Sequence, residues 1–243
     1  MKSLREALRT VDRRTATIFL VAAAVAPTWH YFLGVGTLER LLGSETGHGV
    51  LRDLLPALAS FAAMFFLLAV VPALAVRHLL GDRLRDYGLG LGDVRYGVLA
   101  TLATVPIFMV PIFVGGPQMG ELAEFYPVSR AALASPAHFV AYEAAYLLFY
   151  ASWEFHFRGF LLFGAEKAFG MWPAIGISML ASTLMHLVKP VGEFYAAIFG
   201  GLIWGWIAIR TRSIFWPLLM HYAVGVTNDL VISTNFHDFR LGS

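Results

Sequence analysis

The sequence contains no cysteine. Disulfides, thiolate nucleophiles and Cys-based zinc or iron–sulfur sites are therefore excluded. Charge is also scarce: 14% of the 243 residues are charged, against about 25% in a soluble globular domain. A water-soluble fold of this size would lack polar surface. The formal net charge is only +2, and the basic residues form no contiguous stripe with aromatics between them, so a nucleic-acid partner has no support. No charged, Ser-rich or repetitive stretch is long enough to separate domains, and residues 1–243 read as a single integral membrane domain.

What the chain has instead is apolar length, with 58% hydrophobic residues. Crossing about 30 Å of hydrocarbon at 1.5 Å per residue takes about 20 residues. Seven stretches qualify, at roughly 16–36, 54–76, 95–115, 137–165, 172–188, 194–209 and 214–232. They predict an all-α, polytopic transmembrane bundle of about seven spans enclosing an intramembrane polar cavity. The opening segment resembles a signal peptide, but apolar residues continue to about Val35, which predicts a retained first span.

Basic residues set the expected orientation. Lys2, Arg5, Arg9, Arg13 and Arg14 precede the first span, Arg77, Arg83, Arg85 and Arg95 flank the loop after the second, and Arg210 and Arg212 precede the last. The alternate segments carry Glu39, Glu45, Asp53, Glu121 and Glu124. This pattern predicts a cytoplasmic N-terminus and an external C-terminus; the membrane expected is a bacterial-type plasma (inner) membrane. Gly201 and Gly205 form a small-xxx-small pattern, which predicts close helix packing.

An ionisable side chain in hydrocarbon costs at least ~2.5 kcal/mol, so such groups normally face a bundle interior or a wet cavity. The fourth span carries Glu143, Glu154, His156 and Arg158. At 100° per residue Glu143 returns to nearly the face of Glu154, with Tyr146 and Tyr150 close to the same stripe. Glu154 and Arg158 are four apart and can neutralise each other. A helix-stabilising ion pair without chemistry accounts for those two equally well. His186 and His221 lie on the fifth and seventh spans, and either one alone reads as a packing residue.

Depth joins them: counted from the basic ends, Glu154, His186 and His221 fall roughly 14 to 21 Å into the bilayer. Asn228 lies near the face of His221 and either donates into the site or caps the helix, whereas Asp229 is turned about 100° away. The break at Lys189-Pro190-Val191-Gly192-Glu193 follows His186 early for a full crossing. It either lines a cavity or forms a turn at the external surface.

These residues resemble the CAAX protease and bacteriocin-processing (CPBP) family of intramembrane glutamic endopeptidases. The resemblance runs from about Tyr142 to Asp229, within a motif-bearing core of about 137–232. It comprises W-E-F-H-F-R-G-F-L-L-F at 153–163, His186 with L-V-K-P-V-G-E, and T-R-S-I-F-W-P-L-L-M-H ending at His221. It implies a water-activating glutamate and a histidine that cleave membrane-associated peptides or proteins without a covalent intermediate. Glu154 and Arg158 match the second glutamate and the arginine of the family's E-E-x-x-x-R, and His186 and His221 match the next two motifs. Trp153 stands in the place of the first glutamate, and Gly225 stands where Asn or Asp is common.

The resulting expectation is a peptidase in which Glu154 is the general base and His186 positions the water or stabilises the oxyanion. His221 and Asn228 add oxyanion donors, Arg158 holds the carboxylate, and Glu143 and Tyr150 are accessory or substrate-binding. No cofactor or metal is assigned. Two rivals stand beside it: metal-assisted hydrolysis on Glu154, His186 and His221, and a non-catalytic membrane scaffold or solute carrier.

Overall fold

The computed structural model describes residues 12–43, 49–115 and 117–240, with the backbone alone for Pro117 and Gln118. Lys2, Arg5, Arg9 and Glu45 lie outside the described residues. Among the described residues all regular structure is helical.

Seven helical stretches stand where the apolar runs predict them. The first, α1, is Arg13–Leu33, capped by the Asp12 carboxylate on the backbone N–H groups of Arg14 and Thr15. Short helices α2 (Val35–Leu42) and α3 (Val50–Asp53) follow, and α4 is Leu55–Leu79. Helix α5, Val94–Val114, is capped by Asp93 on the N–H of Tyr96, and a short α6 is Pro117–Ala123. Helix α7 covers residues 136–169: Pro136–Glu154 is α-helical, Phe155–Leu161 widens into π turns, and Leu162–Phe169 is α-helical again. Its start is set by Ser135, which caps the N–H of His138, and by Pro136 in the first turn. Then come α8, Met171–Leu184, α9, Val191–Thr211, and α10, Phe215–Phe236.

Helices α1, α4, α5 and α9 are long and apolar enough to cross a membrane. The chain is a polytopic helical bundle and an integral membrane protein. At 1.5 Å per residue α8 rises only about 21 Å, less than a hydrocarbon core. It gives way to a non-helical turn around His186 that lines a cavity, in line with the cavity alternative for this break.

The basic segments gather at one end. Arg14 pairs with Asp82 at the close of α4, Lys167 at the close of α7 reaches the same carboxylate at 2.7 Å, and the Tyr87 hydroxyl donates to it at 2.8 Å. Two backbone bonds tie the α9–α10 turn to the segment before α5: Asp93 N–H to the Thr211 carbonyl at 3.0 Å, and Ile214 N–H to the Gly88 carbonyl at 3.0 Å. The close of α10 lies at the opposite end, where His237 meets the Ala123 and Tyr126 carbonyls.

Gly201 and Gly205 let α9 approach α8. A Cβ at 201 would stand 2.7 Å from Met179 and one at 205 would stand 3.3 Å from Ile175. Their helix-packing role is the one the sequence suggests.

Candidate active site

Helix α7 supplies the central residues, and its change of winding lies at the site. Glu154 is the last residue of the regular α-helix and Arg158 lies in the π turns that follow. Local π windings recur at functional sites because they re-aim side chains. Glu154 is fully buried. Its Oε1 accepts from Nδ1 of His221 at 2.7 Å and from Nη1 of Arg158 at 3.4 Å, while Oε2 has no hydrogen-bond partner. Because a carboxylate only accepts, Nδ1 of His221 is assigned a proton.

The structure thus joins Glu154, Arg158 and His221 from α7 and α10. His186 is placed beside them by its turn. Its Nδ1 faces the Ser182 carbonyl at 2.9 Å, and since a carbonyl only accepts, Nδ1 donates. Nε2 is left for other partners.

Trp153 neighbours both imidazoles. Its ring meets His186 edge-on at 5.4 Å between centroids and His221 at 6.4 Å. The position the resemblance assigns to a first glutamate is therefore an apolar wall. Tyr150 adds a ring 4.7 Å from His221, and it accounts for Gly225: a Cβ at 225 would overlap the Tyr150 hydroxyl. The phenol occupies the room an Asn or Asp side chain would take.

Two cavities meet at this cluster, sharing Tyr126, Tyr150, Trp153, His186, Glu193 and His221. One, of about 380 Å³, continues past His30, Thr37, Arg40 and Lys189. The other, of about 460 Å³, is walled by apolar residues such as Phe108, Met119, Phe199 and Ile203 and reaches Arg158, Trp204 and Asn228. A fully buried ion pair is expensive to hold and weak evidence of stabilisation. Beside a cavity with polar convergence it marks a candidate site.

Several expected placements change. Glu154 lines neither cavity; the group it presents to them is His221, so direct contact of the carboxylate with water is not what the geometry offers. Glu143, expected as an accessory or substrate-binding group, lines neither cavity, and the roughly three turns between it and Glu154 keep the two acids apart, as their spacing implies. The regular winding between them puts roughly 16 Å of axial rise between the two acids, and Glu143 instead faces Asp229 of α10. Asp229 is buried, turned from His221 towards Glu143, with Asn228 and Tyr142 beside its carboxyl. His156 is buried against Phe157 and Phe160, away from the cavities.

The sequence reading missed Glu193, Tyr126 and Trp204. Glu193 Oε1 accepts from the Tyr126 hydroxyl at 2.6 Å and lies 4.0 Å from His186 Nε2. The Trp204 ring lies 4.7 Å from His221, and its buried Nε1 has no acceptor. Only the acid directly after the Lys189-Pro190 break offered a signal. Among the described residues no group of three or more His, Asp or Glu side chains is disposed to hold a metal ion.

Residues 135–227 match the family model described as Rce1-like, type II CAAX prenyl endopeptidase Rce1-like. That segment runs from the Ser135 cap of α7 to Thr227, just past the middle of α10, and contains Glu154, Arg158, His186 and His221. No curated protein and no solved structure matches the chain.

Proposed function

We propose that the chain, which carries an Rce1-like domain at residues 135–227, is an intramembrane endopeptidase that hydrolyses peptide bonds of membrane-associated peptides or proteins with water as the nucleophile. The observation that carries this reading is the buried Glu154–His221 pair opening through His221 onto a cavity shared with His186.

In this reading His186 Nε2, turned away from the Ser182 carbonyl, accepts the proton of the attacking water. Glu154 holds His221 by Nδ1 and supports positive charge on its ring. With His221 protonated on both nitrogens, its Nε2 then donates to the carbonyl oxygen as it becomes an oxyanion, and the proton that His186 took from the water passes to the departing amine. Arg158 balances the Glu154 carboxylate, and Tyr150 and Asn228 supply further donors at the cavity wall. Atoms balance simply: water adds oxygen to the carbonyl carbon, the C–N bond breaks, and its proton ends on the amine.

The basic end is assigned to the cytoplasm and the close of α10 to the outside of a bacterial-type plasma membrane. The test is turnover. Purified protein in liposomes is mixed with a library of membrane-spanning and membrane-anchored peptides, and new termini are read by mass spectrometry. Wild type should yield defined cleavages and His186→Ala none. A folded wild type that cleaves nothing in the library would favour a binding or scaffold role.

A further inference from the structure

The carboxylate that lines the two cavities is Glu193, in the first turn of α9. The position where the resemblance expects a first glutamate holds the Trp153 indole, yet the site is not short of an acid. Glu193 lines both cavities with His186. Its Oε1 takes the Tyr126 hydroxyl at 2.6 Å, and its Oε2 is buried without a partner. A buried carboxylate oxygen with no donor is costly and asks for a functional reason.

The gap between Glu193 Oε1 and His186 Nε2 is 4.0 Å. This is too long for a hydrogen bond and matches the span of one water bonded to both at about 2.8 Å. Each acceptor has capacity left: Nε2 because Nδ1 carries the ring proton towards Ser182, and Oε1 because an oxygen that has accepted one hydrogen bond retains a second lone pair. A water there places both hydrogens on protein acceptors and turns its lone pairs outward. Lys189 lies near this carboxylate, its ammonium 4.2 Å from the Tyr126 ring centroid, and balances its charge.

We propose that Glu193 is a catalytic residue of the hydrolysis put forward above, seating the attacking water together with His186 and countering the charge on His186 as that ring takes the proton. It supplies from α9 the carboxylate that position 153 lacks. The balance is that of the proposed reaction: the O–H proton moves to Nε2 of His186, the oxygen bonds to the carbonyl carbon, and Glu193 stays ionised. The site then consists of two carboxylate–imidazole pairs, Glu154 with His221 and Glu193 with His186, whose imidazoles both neighbour Trp153.

Glu193→Gln is nearly isosteric and keeps an acceptor for Tyr126, so folding should survive. Its kcat on a cleaved peptide should fall about 100-fold with KM within about threefold of wild type. Glu193→Ala should regain part of its turnover when formate is added, which a merely structural role would not give. Wild-type kcat in Glu193→Gln, or no formate response in a folded Glu193→Ala, overturns the assignment while leaving the peptidase reading intact. A high-resolution experimental structure supplies the readout that does not depend on turnover. Density for a water between His186 and Glu193, lost in Glu193→Ala, supports the seat even if no peptide is cleaved. Wild-type density without that water overturns it.

Discussion

The two charged regions of the molecule solve opposite problems. At the basic end Asp82 collects Arg14, Lys167 and the Tyr87 hydroxyl, while Arg210 finds Asp93 at 3.1 Å and Arg212 finds Glu166. Each of these acids has its cation, at or near the surface. In the middle of the bundle the acids are buried or half-buried and only half matched. Glu154 Oε2, Glu193 Oε2, Arg158 Nε and Trp204 Nε1 all lack partners, and Glu143 faces a second acid. A fully satisfied polar network rigidifies, whereas a partly satisfied one in a low-dielectric setting is costly and persists where chemistry needs free acceptors and donors. The first region fastens helix ends, and in the proposed reading the second binds and reacts.

That contrast is sharpened by substitutions expected to act on one region and spare the other. Outside the carboxylates and imidazoles themselves, the largest effect is expected from Gly225→Ala, because the new methyl displaces the Tyr150 hydroxyl and with it the wall of His221. Turnover should fall about 100-fold, with a stability loss of about 1–3 kcal/mol from overpacking. Turnover close to wild type would show that the Tyr150 position is unimportant.

Glu143→Gln should do far less. Its partner is Asp229, and an amide there can donate to the Asp229 carboxylate. The prediction is turnover within about fivefold of wild type, with any change read as a shift in thermal stability. Inactivity in a well-folded Glu143→Gln protein would tie the Glu143–Asp229 pair to the reaction.

The smallest effect on turnover belongs to Asp82→Asn, whose cost should be about 1 kcal/mol, or a Tm lower by about 2–4 °C, with cleavage unchanged. The Asp82 carboxyl is held below its ordinary value of 3.8, chiefly by the Arg14 hydrogen bond with Lys167 and Tyr87 adding to it, against the opposing effect of desolvation. A depressed native value means that its contribution is complete above pH 3.8 and is lost as pH falls below that towards the native value. Acid melts should therefore show wild type and Asp82→Asn converging at low pH. A constant gap would contradict the ion-pair account.

The seven helical stretches were legible because about 20 apolar residues are needed to cross hydrocarbon, and bounds such as 95–115 and Val94–Val114 nearly coincide. The convergence of Glu154, Arg158, His186 and His221 was legible from depth, since rise per residue is fixed. Azimuth between helices was not. Helical spacing within α10 says that Asp229 points away from His221, but only packing against α7 sets it against Glu143. Glu193 was hidden for the same reason: it follows a break in regular winding, where neither the 100° rule nor a depth count applies. The enclosure of Glu154 behind His221 was equally out of reach, because which side of a side chain meets a cavity depends on its neighbours.

The central claim is that a buried carboxylate works through His221 on peptides in the cavity, and turnover by Glu154→Gln tests it most directly. The variant keeps shape and an acceptor for the His221 Nδ1 proton but removes the charge that supports a protonated ring. In liposomes, on a peptide that wild type cleaves and with folding checked by thermal unfolding, kcat should drop about 1,000-fold at nearly unchanged KM. A folded Glu154→Gln protein that cleaves at the wild-type rate would contradict the account.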